Sequence, residues 1–137
     1  MMQKLAPLPL HEVLFVSTIA PEAPISIVAQ IAGKARIANK ARDITGLLIF
    51  DGMRFCEQLE GQEKDILALL ERIRQDPRHT SVKLLHHGPL PERRFKCFSM
   101  GYAPVEDVEI LSRLEQLQGP AAVGAFVEIL STLDLDS

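Results

Sequence analysis

The dipeptide Asp51-Gly52, set between two strand-like runs, constrains this chain more than any other feature. Thr45-Gly-Leu-Leu-Ile-Phe50 precedes it and Met53-Arg-Phe-Cys-Glu-Gln-Leu-Glu60 follows it. Asp-Gly suits a two-residue hairpin in which both turn positions take positive φ. An antiparallel pair therefore sits mid-chain, and the flanking segments must cover it. Upstream, Glu12-Val-Leu-Phe-Val-Ser-Thr18 is β-branched and aromatic and reads as a strand. Pro21 and Pro24 end it and can open a helix. From Ile25 to Asn39 the apolar residues Ile27, Val28, Ile31, Ala32, Ala35 and Ala38 form a helical stripe. Asn39 follows Val28 by about three turns and falls near that stripe.

Downstream, Gly61 punctuates, and Gln62 to Gln75 carries Ile66, Leu69, Leu70 and Ile73 at the spacing of an amphipathic helix. Asp76-Pro77 stops it. Ser81 to His87 reads as a strand, Gly88-Pro89 with Pro91 as a loop, and Arg94 to Tyr102 as a last strand. The order β-α-β-β-α-β-β predicts an α+β fold, a ferredoxin-like sandwich with two helices on one face of the sheet. After Pro104, the series Val105, Val108, Leu111, Leu114 and Leu117 predicts one helix, and Val123, Phe126, Val127 and Leu130 predict another beyond Gly119-Pro120. The other face of the sheet is the nearest surface for these helices, with a partner subunit as the alternative. Residues 1–104 are thus expected to form the domain proper, and 105–137 a C-terminal helical extension of it.

The 137 residues, 47% of them hydrophobic, suffice for one domain with a real core. Eighteen acidic against fifteen basic residues give a net charge of -3, which argues against a nucleic-acid face. No apolar run approaches a membrane span, and Met1 to Leu10 lacks a signal-peptide pattern. Cys56 and Cys97 form no CxxC pair. His86-His87 point to opposite faces of a strand, and His11 and His79 are scattered, so no metal site is expected. A cytoplasmic domain is the default.

Four segments carry more specific information: Asn39-Lys-Ala-Arg-Asp-Ile-Thr-Gly-Leu-Leu47, Arg54-Phe-Cys-Glu-Gln-Leu-Glu-Gly61, Arg72-Ile-Arg-Gln-Asp-Pro-Arg-His79 and Arg94-Phe-Lys-Cys-Phe-Ser-Met-Gly101. In this order and spacing, from about Glu12 to Tyr102, the chain resembles the BLUF family of flavin-binding blue-light sensor domains. The resemblance implies FAD, with its isoalloxazine ring slotted between the two helices over the sheet. It implies that Asn39 hydrogen-bonds the flavin edge, and that Arg72, Asp76, Arg78 and His79 form a polar cluster near the flavin and its chain. It also implies that Met100 stands on the last strand, and that Ile44 and Ile73 wall the slot. Taken alone, Asn39 also fits a helix cap, Asp76-Pro-Arg-His79 a solvated helix exit, and Glu57 an exposed sheet edge.

The photochemical positions depart from the family pattern. Phe15 stands where the family has a tyrosine that donates an electron to excited flavin. Glu57 stands where it has a glutamine, and Phe98 where it often has a tryptophan. Phenylalanine lacks the hydroxyl, and an ionised glutamate offers only acceptors toward a flavin edge that is itself made of acceptors around N5 and O4. Strand alternation puts Phe55, Glu57 and Leu59 on one face and Cys56, Gln58 and Glu60 on the other, so Gln58 reaches the slot only through a bulge. With flavin bound, Glu57 is expected to be protonated near neutral pH, or swung onto arginine or backbone donors. The family implies a photoreceptor that signals through protein contacts, here with its standard photocycle lost or altered. Output would go to an unknown downstream protein or through self-association. The alternative is a flavin-free interaction module on the same fold. No second catalytic group accompanies Glu57, so an enzyme is not expected.

Overall fold

The computed structural model describes residues 9–24, 26–96 and 99–133. Its elements are β1 (Leu10–Ile19), α1 (Ile27–Ala41), β2 (Thr45–Phe50), β3 (Arg54–Gln62), α2 (Glu63–Gln75), β4 (His79–Leu90), β5 (Gly101–Pro104), α3 (Val108–Leu114) and α4 (Pro120–Thr132). The sheet order is β4-β1-β3-β2-β5. The first four strands pair antiparallel and β5 adds parallel to β2. The fold is α+β with the expected ferredoxin-like sandwich.

Alternation along the strands sends two sets of apolar side chains to opposite faces. Val13, Phe15, Leu48, Phe50, Phe55 and Leu59 meet Val28, Ile31 and Ala32 of α1 and Ile66 and Leu70 of α2. Leu14, Val16, Leu47, Ile49 and Cys56 meet Leu111 and Leu114 of α3 and Ala122 and Phe126 of α4. The C-terminal helices thus take the rear face of their own sheet. Each buried Leu, Ile or Phe contributes about 1.5–3 kcal/mol there, so both layers are needed to hide the sheet. α2 is further favoured by Glu63 and Asp65 in its first turn and Arg72 and Arg74 in its last, matching the helix dipole.

The structure corrects four local expectations. The hairpin loop is Gly52-Met53, because the Asp51 N–H donates to the Arg54 carbonyl at 3.2 Å. Only Gly52 takes a positive φ, 99°, the glycine-first form of a two-residue turn. Asp51 serves instead as a clamp, its Oδ1 accepting from the Met53 and Arg54 N–H groups at 2.9 and 2.7 Å. Asn39 is not the end of α1; the helix runs two residues further, and the chain turns at Asp43 with φ 55°. β4 continues through Gly88-Pro89 to Leu90, which an edge strand tolerates because proline's missing N–H costs no ladder bond there.

The fourth correction concerns the last strand, which begins only at Gly101. Ahead of it the chain crosses from the β4 edge toward the β2 edge. The reason lies in two buried carboxylates. Glu60 accepts from the backbone N–H groups of Arg94 and Phe95 at 2.8 and 3.1 Å and from Thr45 Oγ1 at 2.9 Å. Glu12 accepts from Arg94 Nη1 at 2.5 Å and from Gln58 Nε2 at 2.6 Å. Main-chain donors that a strand ladder would use are held by side chains instead. Cys97 and Phe98 lie outside the described residues.

Candidate functional site

α1 and α2 cross the same sheet face without closing on each other, and a cleft of about 210 Å³ opens between them. Ile31, Ala35 and Ala38 of α1 and Leu69 and Ile73 of α2 give it apolar walls. Small alanines on one side and β-branched and leucyl chains on the other leave a slot suited to a flat ring. Polar groups ring it: Lys34, Asn39, Glu57, Arg72, Asp76, Arg78 and His79, with Met100 from the crossing segment. Asn39, Arg72, Ile73, Asp76, Arg78, His79 and Met100, all singled out from sequence, therefore come together here. Ile44 is buried in the apolar core of this face, in the same cluster as Ile31 and Met100, and is not among the residues that line the cleft.

The helix ends and turns fix the polar groups. Asn39, in the last turn of α1, donates from Nδ2 to the Ser99 carbonyl at 2.9 Å. Its own carbonyl accepts from the Ile44 N–H at 2.8 Å and closes the turn into β2. Asn39 is thus both a structural and a cleft residue. Arg36 anchors the next residue of the crossing segment, donating to the Met100 carbonyl at 3.0 Å. Asp76 grips Arg78 in a forked pair, Nε to Oδ1 at 2.9 Å and Nη2 to Oδ2 at 2.5 Å. The Arg78 hydrogen bond holds the Asp76 carboxyl below its ordinary range. His79 Nδ1 lies 3.0 Å from Ser17 Oγ, and its ring packs on Phe55 at 4.8 Å. Burial lowers the His79 pKa, so the ring is neutral near neutral pH.

Glu57 sits on β3, the central strand of the sheet, and is 3% exposed. The edge reading is thereby excluded. Its carboxyl lines the cleft and has no hydrogen-bond partner among the described residues. Burial, and secondarily the charge of Asp76, raise its pKa to about 8. The carboxyl therefore holds its proton to higher pH than usual, and no arginine or backbone donor reaches it among the described residues. Phe15 pairs directly with Glu57 across β1 and β3 and is fully buried on the same face. Gln58 points to the rear, where it holds Glu12, and no bulge brings it round. Cys56 is buried on the rear face, and burial followed by the nearby Glu57 pushes its thiol up. Tyr102, the sole tyrosine, is partly exposed in a separate groove with Val28, Ala29, Ala32, Arg36 and Phe50. Phe98 falls outside the described residues.

Lys34 and Ser17 complete the site and were not singled out from sequence. Lys34 lies three residues after Ile31 and four before Ala38, a spacing that puts it on the same helix face. Ser17 offered no signal, because its role depends on the β4 register that delivers His79.

The donor set fits a flavin. The slot is apolar and narrow, its rim carries Lys34 and Arg72 for an anionic chain, and a buried acid without a partner waits for a polar ring edge. A family profile described as "Sensors of blue-light using FAD", BLUF, matches residues 10–101. The chain is 33% identical over 86 residues to the Blue light- and temperature-regulated antirepressor BluF of Escherichia coli (strain K12), covering 63% of this chain and 21% of that protein. It is 46% identical over 55 residues to the Photoactivated adenylate cyclase subunit beta of Euglena gracilis, covering 40% of this chain and 6% of the other. The dark-state structure of BlrB, a BLUF protein, superposes with a TM-score of 0.73 at 28% identity, covering 86% of this chain and 92% of that one. The chain thus spans only a small part of these two curated relatives.

Proposed function

This chain belongs to the BLUF family, sensors of blue light that use FAD, and from that premise we propose that the cleft between α1 and α2 is its flavin seat. When bound, FAD supplies the light-absorbing ring. Ala35, Ala38, Leu69 and Ile73 hold the ring by apolar contact, and Asn39 and Met100 meet it from the α1 end. Lys34 and Arg72 offer cations to the diphosphate, and Asp76 keeps Arg78 oriented beside them. His79, neutral and tied to Ser17, closes the sheet side. Glu57, when protonated, would donate a hydrogen bond from its O–H to an acceptor on the ring edge. The observation that carries this reading is the unpartnered Glu57 carboxyl in a cleft that also gathers Asn39, Arg72, Asp76, Arg78 and His79. An open cleft, rather than one refilled by side chains, weighs against the flavin-free module.

The standard photocycle is lost or altered in this reading. Phe15 has no hydroxyl to give, the chain has no tryptophan, and Tyr102 stands in another groove. The purified protein should take up added FAD saturably, with a resolved flavin band, and should show no reversible red shift on illumination. Failure of uptake overturns the flavin seat; a native red shift overturns the roles given to Phe15 and Glu57. The double variant Phe15→Tyr/Glu57→Gln should gain the shift.

Residues 105–137 act in this reading as an extension of the flavin domain, supported by the packing of α3 and α4 on Leu14, Val16, Leu47 and Ile49. The domain is a sensor rather than an enzyme, and its output passes to another protein or to a second copy. Relatives named as an antirepressor and as a cyclase subunit support that mode. Among the described residues no helix is long and apolar enough to cross a membrane, which accords with action in the cytoplasm.

A further inference from the structure

We propose that Glu57 sets which redox state of flavin the cleft prefers: carrying its proton it can meet the oxidised ring, and on losing the proton it turns against the oxidised ring and favours the reduced one. The proposal rests on the flavin seat described above and adds a selectivity that this chain's own substitution creates. The groups around Glu57 come from every element of the cleft: Lys34 from α1, Arg72 from α2, and Asp76, Arg78 and His79 from the turn into β4. Arg78 is committed to Asp76, and His79 to Ser17. None of the five hydrogen-bonds Glu57, so its carboxyl is left free to meet a group that enters the cleft. The rear-face acids differ in this respect, since Glu12 and Glu60 are saturated by protein donors.

The selectivity follows from donor and acceptor counting. In oxidised isoalloxazine, N5 and the adjoining O4 are acceptors, and a protonated carboxyl can donate to them. Two-electron, two-proton reduction places a hydrogen on N5 and makes it a donor, which an ionised carboxylate accepts. An ionised carboxylate against oxidised N5 and O4 leaves acceptor facing acceptor, which is costly in a partly desolvated cleft, whereas a protonated carboxyl keeps an acceptor oxygen beside its donor and can serve either form. Burial and Asp76 bring the exchange to about pH 8, within reach of experiment.

The test is anaerobic equilibrium dialysis of the full chain against FAD and against FAD reduced beforehand with dithionite, which is oxidised to sulfite as it supplies the two electrons. Both ligands are measured at about pH 6.5 and about pH 9, on either side of the Glu57 titration. In the native protein, affinity for reduced relative to oxidised FAD should rise at least about tenfold from the lower to the higher pH, the change of roughly one pH unit of linkage. In Glu57→Gln the ratio should move only as the free flavin's own ionisation dictates, and Glu57→Asp should keep the native direction. Thermal melts confirm that each variant is folded. If both forms bind and the native ratio moves no more than in Glu57→Gln, the selectivity is overturned while the flavin seat stands. If neither form binds at either pH, the flavin seat itself is overturned and the selectivity with it.

Discussion

The two faces of the sheet bury acids in opposite ways. On the rear face Glu60 collects a threonine hydroxyl and two backbone N–H groups, and Glu12 collects Arg94 and Gln58. On the α1/α2 face Glu57 is as well hidden but collects nothing. Burying a carboxyl is costly unless the protein supplies its partners. The rear acids are therefore structural, fixing the path of the chain into β5. Glu57 keeps its hydrogen-bonding capacity free inside a cleft, the arrangement on which the proposed flavin seat rests. The same strand, β3, supplies both kinds, and the three-residue step from Glu57 to Glu60 puts them on opposite faces.

The largest break in this contrast should come from the saturated side. Glu60→Ala strands two backbone donors and a hydroxyl and should cost about 3–5 kcal/mol of stability, measured by urea unfolding. A loss below about 1 kcal/mol would mean that the crossing segment is not held as described. Glu57→Gln should act in the other direction. The native carboxyl, raised to about 8 from 4.5, favours the folded state fully below the unfolded value. Stability should then fall as pH rises through that window, by up to about 1.4 kcal/mol per pH unit. The variant removes that slope, so it should outlast the native protein in thermal melts above pH 8. Equal pH profiles would show that Glu57 titrates normally. The smallest effect is expected from Ser17→Ala, which loosens His79 and should cost about 1 kcal/mol, read by melting at neutral pH. The His79 ring should also titrate with a visibly changed midpoint by NMR.

How much of this was legible in the sequence varied with how local the deciding physics was. The two main helices and the first four strands follow from period and punctuation, and the face of Glu57 follows from alternation alone. The rejection of Gln58 is the same argument. The sequence pattern makes β5 too long because Phe95 has strand-like character, while the determinants of its path, Glu60 and Glu12, lie far away in sequence. The turn at Asp51-Gly52 was found, but its register depended on a side-chain clamp that composition does not report. Ile44 has the right chemistry for the slot, yet the tight turn after α1 buries it beneath. Lys34 was overlooked because a charged residue beside an apolar stripe usually means solvent, not a rim.

The crossing segment has a mechanical consequence. Phe95 packs edge-on against Phe126 of α4 on the rear, 6.4 Å between centroids, whereas Met100 reaches the cleft in front. Five residues of sequence separate them, a tether of at most about 18 Å when drawn straight. The rear packing of α4 and the front cleft are thus joined by a short covalent path, so a displacement felt at Met100 lies within a few residues of the ring that meets Phe126.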